Sequence, residues 1–365
     1  MNGLVIWAQS TCRSTMGLYA AIAKQLDVPV IIALWFYHTE VGQSDNRSII
    51  GFNPDEFADV PTIPIGEDFD KGQKLLDAYD GYCHYFTVYQ NSSVWRRLII
   101  EAKRRGSRVF VGSESPCNMS SGMRYWMKEF YLRFCLRYKV RDVISASEKF
   151  INYSGDDSKY AMIAGWPKEK IIPFGYFPPA LEGAHFVERV TNKPFVILAT
   201  GALSRYRGAD VLMDALVLLK KKGIPYKAVI TQTGELLPAL KRQAKSHDLP
   251  VEFTGFIPMS DLIALYEQCT VYVAAGRHEP WGMRLNDALN CGAPLVVSRG
   301  MGGVKMVDDY GCGLSFRSND AIDLADKLIF LATDRNVYMS IVSNVKNAVT
   351  KCSPQFKARE LISMF

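Results

Sequence analysis

The sequence predicts an α/β protein of two doubly wound domains, and three observations carry that expectation. Short apolar runs alternate with stretches of helical spacing through both halves of the chain. In the second half, glycine-bearing loops follow such runs at Gly201 and Gly282 and lead into helices. The length, 365 residues, suffices for two separate cores. Strands alternating with helices imply parallel sheets, whose ligands gather at the C-terminal ends of the strands.

In chain order, Leu4 to Ala8 reads as a strand. A helix from about Met16 to Leu26 follows, with Leu18, Ile22 and Leu26 at helical spacing, then a strand from Val28 to Leu34. Tyr37 to Asp70 has few periodic signals and several prolines, and reads as loops or an insertion. Further strands are expected at Tyr82 to Tyr89, Arg108 to Gly112 and Asp142 to Ser145, with helices from about Ser93 to Arg105 and Met123 to Lys139. The loops after strands to watch are Gln9 to Gly17, with Arg13 and Gly17, and Gly112 to Pro116, with Ser113 and Glu114. A helix containing Tyr160 and Met162 precedes the passage Gly165 to Gly175, and Leu181 to Pro194 is a polar linker.

The second series begins at Phe195 to Thr200 and runs into Gly201-Ala202-Leu203-Ser204-Arg205-Tyr206-Arg207-Gly208, then a helix from Ala209 to Lys222. Strand, glycine loop and helix N-terminus form a phosphate cradle. Arg205 and Arg207 add charge-assisted donors, each worth roughly 1.5–3 kcal/mol. Ala228 to Thr231, the helix Leu237 to Ser246, the strand from Val251 with Phe256 and Ile257 just beyond it, and the helix Ser260 to Gln268 come next. Gly302-Gly303-Val304 is one more glycine loop, and the last helix spans about Pro354 to Phe365.

One stretch organises the rest: Arg277-His278-Glu279-Pro280-Trp281-Gly282-Met283-Arg284-Leu285-Asn286-Asp287, between the buried runs Val271 to Ala275 and Leu295 to Ser298. Gly282 lets the backbone approach whatever Glu279 touches. The helix after it offers N–H groups to a phosphate. Glu279 in the loop and Asp287 about a turn into the helix can both face one polyhydroxylated ligand. Gly292 suits the C′ position of that helix, and Pro294 blocks its continuation.

This stretch resembles the donor-site motif of the retaining glycosyltransferases of family 4 (glycosyl transferases group 1, GT-B fold). Glu279, Trp281, Gly282, Ala288, Gly292 and Pro294 match in register, with Asp287 where the family has Glu. The resemblance implies the GT-B architecture, two Rossmann-like domains facing across a cleft. Residues 1–182 would form the acceptor-binding domain, 183–350 the nucleotide-sugar-binding domain, and 351–365 a helix crossing back to the first. It implies that Glu279 contacts the donor sugar and Asp287 the ribose. Gly201, Arg205, Arg207, Phe256, Ile257, Trp281, Gly282, Met283 and Arg284 complete the donor side. Arg207 takes the place of the family's lysine, Ala202 replaces its usual arginine, and Met306 stands where an acid is usual. Arg13, Gly17 and Ser113 fall on the acceptor side. Glu114 stands near the position of a family histidine, either touching an acceptor hydroxyl as a second catalytic group or simply solvated.

The implied activity is transfer of a sugar from a nucleotide diphosphate sugar to a hydroxyl acceptor, with retention, in cell-surface polysaccharide synthesis. The acceptor would be a glycan or a lipid-linked glycan. No metal or other cofactor is implied, since arginines and a helix dipole can neutralise the leaving diphosphate, and the chain has no Asp-x-Asp triplet. A non-catalytic sugar-nucleotide-binding homologue is the competing reading, given Ala202, Asp287 and the missing histidine. A dinucleotide-dependent oxidoreductase is disfavoured, because neither glycine loop reads Gly-x-Gly-x-x-Gly after a strand.

Composition sets the remaining bounds. A hydrophobic share of 48% with 22% charged excludes a disordered chain. No apolar run approaches about 18 residues, and the N-terminus lacks a basic region ahead of an apolar one. The eight cysteines show no CxxC pair, which suggests free buried thiols, as at Cys135 and Cys269, in a reducing cytoplasm. Net charge is +6, unevenly spread: Arg96 to Arg141 holds twelve Lys or Arg against three acids. Solvated helix faces account for such a block, as does an anionic membrane surface at its cytoplasmic side, with Tyr131, Leu132 and Phe134 to Leu136 as apolar surface. No nucleic-acid-binding motif accompanies it.

Overall fold

The computed structural model of the chain describes residues 1–9, 12–35, 60–87, 89–90, 92–116 and 123–365. They form two compact units: Met1–Pro179 with Pro354–Phe365, and Ala180–Ser353.

The first unit runs β1 (Leu4–Ala8), α1 (Arg13–Gln25), β2 (Val30–Leu34), β3 (Thr62–Pro64), α2 (Phe69–Ala78), β4 (Cys83–Phe86), α3 (Ser93–Arg104) and β5 (Val109–Ser113). It continues through α4 (Met123–Phe130), α5 (Arg137–Ala146), β6 (Lys149–Asn152), α6 (Lys159–Ile163) and β7 (Ile171–Pro173). Its sheet has the order β3-β2-β1-β4-β5-β6-β7, all parallel among the described residues. The order reverses between β1 and β4, so their C-terminal ends flank a crevice. Helices cover both faces, which is why β1, β2 and β4 are buried at every position rather than at alternate ones. Trp7 lies flat on Phe86, ring centres 4.8 Å apart, and meets Trp95 edge-on at 5.8 Å.

His84, 1% exposed in β4, accepts a hydrogen bond at Nδ1 from Trp7 Nε1 at 3.1 Å. Burial, helped by the nearby Arg105 charge, lowers its pKa from 6.5 to about 4. The neutral imidazole therefore persists in the fold where an unfolded chain would take up a proton. Stability is complete above the unfolded value and declines as pH falls from 6.5 toward 4, by about 3 kcal/mol in total. The difference between wild type and His84→Gln in urea unfolding, followed across that range, should show this slope. Parallel pH dependence in the two proteins would show that His84 is not its source.

The second unit runs β8 (Val196–Ala199), α7 (Ala209–Lys221), β9 (Lys227–Thr231), α8 (Leu237–Ser246), β10 (Val251–Gly255), α9 (Met259–Gln268) and β11 (Val271–Ala274). It ends with α10 (Met283–Asn290), β12 (Leu295–Ser298), α11 (Val304–Tyr310), β13 (Gly313–Phe316), α12 (Ala321–Thr333) and α13 (Arg335–Lys351). The parallel sheet has the order β10-β9-β8-β11-β12-β13 and reverses between β8 and β11. Leu212, Leu216 and Leu219 of α7 and Leu324 and Leu328 of α12 are buried against one face, with Val273 and Val296 beneath them. The last helix, α14 (Pro354–Ile362), belongs to the first unit. There Gln25 donates to Gln355 O at 3.0 Å, Arg108 donates to Phe365 O, and the Phe365 ring sits 5.0 Å from Phe110.

Several expectations need correction. Asp142 to Ser145 is not a strand but part of α5, with Val143 and Ile144 buried on one helical face; the strand is the four residues of β6. The helix expected to end at Lys139 continues to Ala146, through a π-helical segment at Tyr131–Leu136. Leu132 and Leu136 lie in the core, while Cys135 is exposed. Of Tyr37 to Asp70, residues 37–59 lie outside the described residues, as do Ser10 and Thr11 of the first loop; β3 and the start of α2 occupy the rest.

The expected linker, Leu181 to Pro194, is anchored to the second unit. Buried Arg189 donates to Tyr266 O at 2.6 Å, Cys269 O at 2.8 Å and Cys291 O at 3.0 Å, and so meets the carbonyl ends of α9 and α10 with positive charge. Asn192 donates to Leu331 O and Ala332 O.

Candidate functional site

The described side chains of the organising stretch meet at the reversal point of the second sheet, where the loops after β8 and β11 emerge side by side. Gly208, with φ of +70°, caps α7 there. A Cβ at Gly208 would lie 1.9 Å from Ala275 O, so only glycine lets the two loops approach this closely. Across that contact the Arg207 guanidinium pairs with the Glu279 carboxylate. The Arg207 side chain is 35% exposed and that of Glu279 13%, so the pair sits at the wet edge of the crevice.

The loop carrying Glu279 is held from both ends. Glu279 N donates to Gly300 O, Gly302 N to Glu279 O and Gly303 N to Trp281 O, each at 2.9 Å. Trp281 is buried, with Nε1 on Asn286 Oδ1 at 2.9 Å, so it anchors the loop. Gly282, at φ +100°, caps α10, and a Cβ on it would strike Met301. At the far end Gly292 N bonds Leu289 O and Ala293 N bonds Ala288 O, a Schellman closure with Gly292 at φ +83°.

Arg284, in the first turn of α10, reaches back to Gly201 and would contact any Cβ placed there. Asp287 is buried one turn further on. Both face a hydroxyl cluster: Thr200 Oγ1 lies 2.9 Å from Tyr272 Oη and 3.2 Å from Tyr266 Oη. Burial pushes the Tyr272 phenol up to about 12, opposed by Arg284 and the Thr200 bond and assisted by the charges of Glu279 and Asp287. Burial first, then Tyr272 and Asp287, raise Tyr266 as well. Glu279, Arg284 and Asp287 thus share one electrostatic neighbourhood.

Beneath the loops, Arg277 bonds both Asp210 oxygens at 2.7 and 2.8 Å, Asn319 Oδ1 at 2.8 Å and the carbonyl of Arg205. Its own backbone N donates to Tyr206 O, and its carbonyl accepts from Ser318 Oγ at 3.0 Å. Burial works against the Asp210 charge, but the Arg277 bonds prevail and hold Asp210 below the usual carboxylate range. Arg205 itself is 78% exposed, 3.7 Å from Asp210. Phe256, also 78% exposed, and Ile257 follow β10 at the edge of the sheet, two strands away from β8 and so roughly 10 Å from it.

The first unit has its own polar cavity of about 90 Å³ at its reversal point, lined by Cys12, Thr15, Tyr19, Thr87, Tyr153 and Tyr176 among others. Glu114, just after β5 and Ser113, accepts from Tyr176 Oη at 3.2 Å. Arg13 and Gly17 both pack on Pro179: Arg13 Nη2 donates to its carbonyl at 2.5 Å, and a Cβ on Gly17 would meet its ring at 2.6 Å. Their visible role is to seat that segment on α1.

Sequence reasoning missed the residues that assemble the second-unit site from a distance. Thr200, Tyr266 and Tyr272 bond one another across 66 and 72 positions, and Asp210 with Arg277 across 67. A polar residue directly after an apolar strand, as Thr200 is after β8, was the available signal.

Residues 182–348 match the family described as glycosyl transferases group 1. Over 110 residues the chain is 37% identical to a GDP-mannose-dependent alpha-(1-6)-phosphatidylinositol dimannoside mannosyltransferase of Mycobacterium tuberculosis, covering 30% of this chain and 28% of that protein. Over 183 residues it is 25% identical to the serotype-specific mannosyltransferase WbdA of Escherichia coli, covering 47% and 22%. The chain therefore spans less than a third of the length of these two relatives. In fold it is similar to Anabaena HepE, solved with UDP and glucose, at a TM-score of 0.62 and 16% identity over the whole of both chains. The two parallel Rossmann-like units have the GT-B fold, and the residues that resemble glycosyl transferases group 1 hold the paired Arg207 and Glu279.

Proposed function

We propose that the chain is a retaining glycosyltransferase that moves a sugar from a nucleotide diphosphate sugar to a hydroxyl of a glycan or lipid-linked glycan. The observation that carries this reading is the Arg207–Glu279 pair at the sheet reversal, with Arg284 and Asp287 on the adjoining helix. A diphosphate entering there takes over Arg207 and lies toward Arg284 and the first N–H groups of α10. Glu279, released from Arg207, is free to accept hydrogen bonds from sugar hydroxyls, and Asp287 from ribose. In this reading the cations and the helix dipole carry the leaving-group charge that a divalent metal carries elsewhere.

Ser113 and Glu114 are assigned to the acceptor hydroxyl, with Glu114 positioned by Tyr176. The M. tuberculosis relative acts on a phosphatidylinositol dimannoside, which supports a lipid-linked acceptor and a place at the cytoplasmic face of the membrane. Among the described residues no helix is long and apolar enough to cross one.

Incubation with a panel of UDP- and GDP-sugars tests the reading: nucleotide release that rises with added acceptor supports transfer, and tight binding without release supports a non-catalytic homologue. Arg207→Ala should weaken nucleoside diphosphate binding by about tenfold, since one decade is about 1.4 kcal/mol, with less effect on the monophosphate. Equal losses by calorimetry for both ligands would place Arg207 away from the β-phosphate.

A further inference from the structure

The helix running from Met123 to Ala146 carries two apolar faces, and only one of them is buried. Leu132, Leu136, Val140 and Val143 pack into the first unit. On the opposite side Met123, Trp126, Met127, Phe130, Phe134 and Tyr138 are exposed, by 60% to 80% each. Apart from the adjacent pair Trp126 and Met127, they are spaced by three or four residues and make one continuous outward row about 20 Å long at about 1.5 Å per residue. The Phe130 and Phe134 rings meet each other, centres 4.9 Å apart and tilted by 39°. Isolated exposed apolar side chains are ordinary; six in a row are not.

Charge decides what covers this row. Arg124 and Lys128 run along one flank, and Arg133, Arg137 and Arg141 along the other. The acids on the helix are Glu129, buried and paired with Arg133 at 2.8 Å, and Asp142, 3.4 Å from Arg141. Long basic side chains flanking an aromatic stripe let the stripe enter the acyl boundary while the cations stay among anionic headgroups. Trp and Tyr favour that same depth.

We propose that residues 123–141 form an interfacial helix that lies in the plane of an anionic membrane and inserts its outward aromatic row. This deepens the membrane placement proposed above by assigning it to one helix face and to apolar insertion as well as charge. It does not depend on which sugar is transferred.

The full chain is to be sedimented with vesicles of phosphatidylglycerol and phosphatidylethanolamine, and with phosphatidylcholine vesicles. Partitioning should be at least tenfold stronger for the anionic set and should weaken with salt. Brominated lipids should quench a fluorescence component lost in Trp126→Phe, because Trp7, Trp95, Trp166 and Trp281 are buried and Trp35, partly buried, packs against the core. Phe130→Ser with Phe134→Ser, at exposed positions that leave the core intact, should reduce partitioning at least tenfold, with circular dichroism unchanged. Arg133→Gln, Arg137→Gln and Arg141→Gln together should abolish the anionic preference.

The proposal is overturned by no binding to anionic vesicles at low salt, by binding that the Phe130 and Phe134 changes leave intact, or by a lipid-free dimer that shields Trp126 from iodide. Nucleotide release with a soluble acceptor, measured on the same variants without lipid, separates the two readings. Retained release with lost vesicle binding leaves sugar transfer standing and confirms the helix as the membrane contact. Lost release with normal vesicle binding instead removes the transfer reading alone.

Discussion

Glu279→Gln is expected to lower kcat by about a hundredfold or more, with nucleotide binding little changed, because a carboxylate on sugar hydroxyls strengthens its hold as positive charge builds at the anomeric carbon. The substitution keeps the side chain's shape and its acceptor oxygen but removes the charge that Arg207 now neutralises. Asp287→Asn should behave differently. Holding ribose alike in ground and transition states, Asp287 should appear mainly in donor KM. Steady-state kinetics on both variants with the best donor of the panel provides the comparison. A Glu279→Gln enzyme turning over near the wild-type rate would leave this loop with donor binding only.

Gly208→Ala is the second large effect, and it falls on the fold of the site. Gly208 and Gly223 flank α7 with nearly the same left-handed φ, +70° and +69°. At Gly223 an added Cβ meets nothing within 4 Å, whereas at Gly208 it lands 1.9 Å from the Ala275 carbonyl. Gly223→Ala should therefore cost only the conformational penalty, about 1 kcal/mol. Gly208→Ala should cost at least about 3 kcal/mol, because backbone must move as well. Guanidinium unfolding of the two variants measures the difference directly. Equal costs would mean that the loops can separate freely.

Much of the second unit was legible in sequence because its signals are local. Gly282, the helix after it and the Gly292 stop are contiguous, and the structure places them within a residue or two of expectation. The first unit was harder. Val143 and Ile144 are β-branched and sit in a short apolar run, which periodicity cannot assign to strand or helix. In the fold they face the core from a helix whose other buried positions, Leu132, Leu136 and Val140, lie outside that short window. The four residues of β6 were too few to announce themselves. Arg277 reads in sequence as one more loop cation, and its partners Asp210 and Asn319 stand 67 and 42 positions away. Which apolar residues of the 123–138 row face outward is likewise a property of packing rather than of composition.

The Arg277 guanidinium and backbone join the segments that follow β8, β11 and β13 into one bonded set, through Arg205 O, Tyr206 O, Asp210, Ser318 and Asn319. Every one of those bonds is made by the protein with itself, before any ligand arrives. The freedom of these loops is surrendered when the second unit folds, so little conformational entropy remains to be lost on association. In the proposed function a diphosphate opens the Arg207–Glu279 pair above them. On that reading, ligand capture at this end of the sheet amounts to an exchange of partners on a rigid floor, with an affinity that reflects one displaced ion pair more than the ordering of a loop.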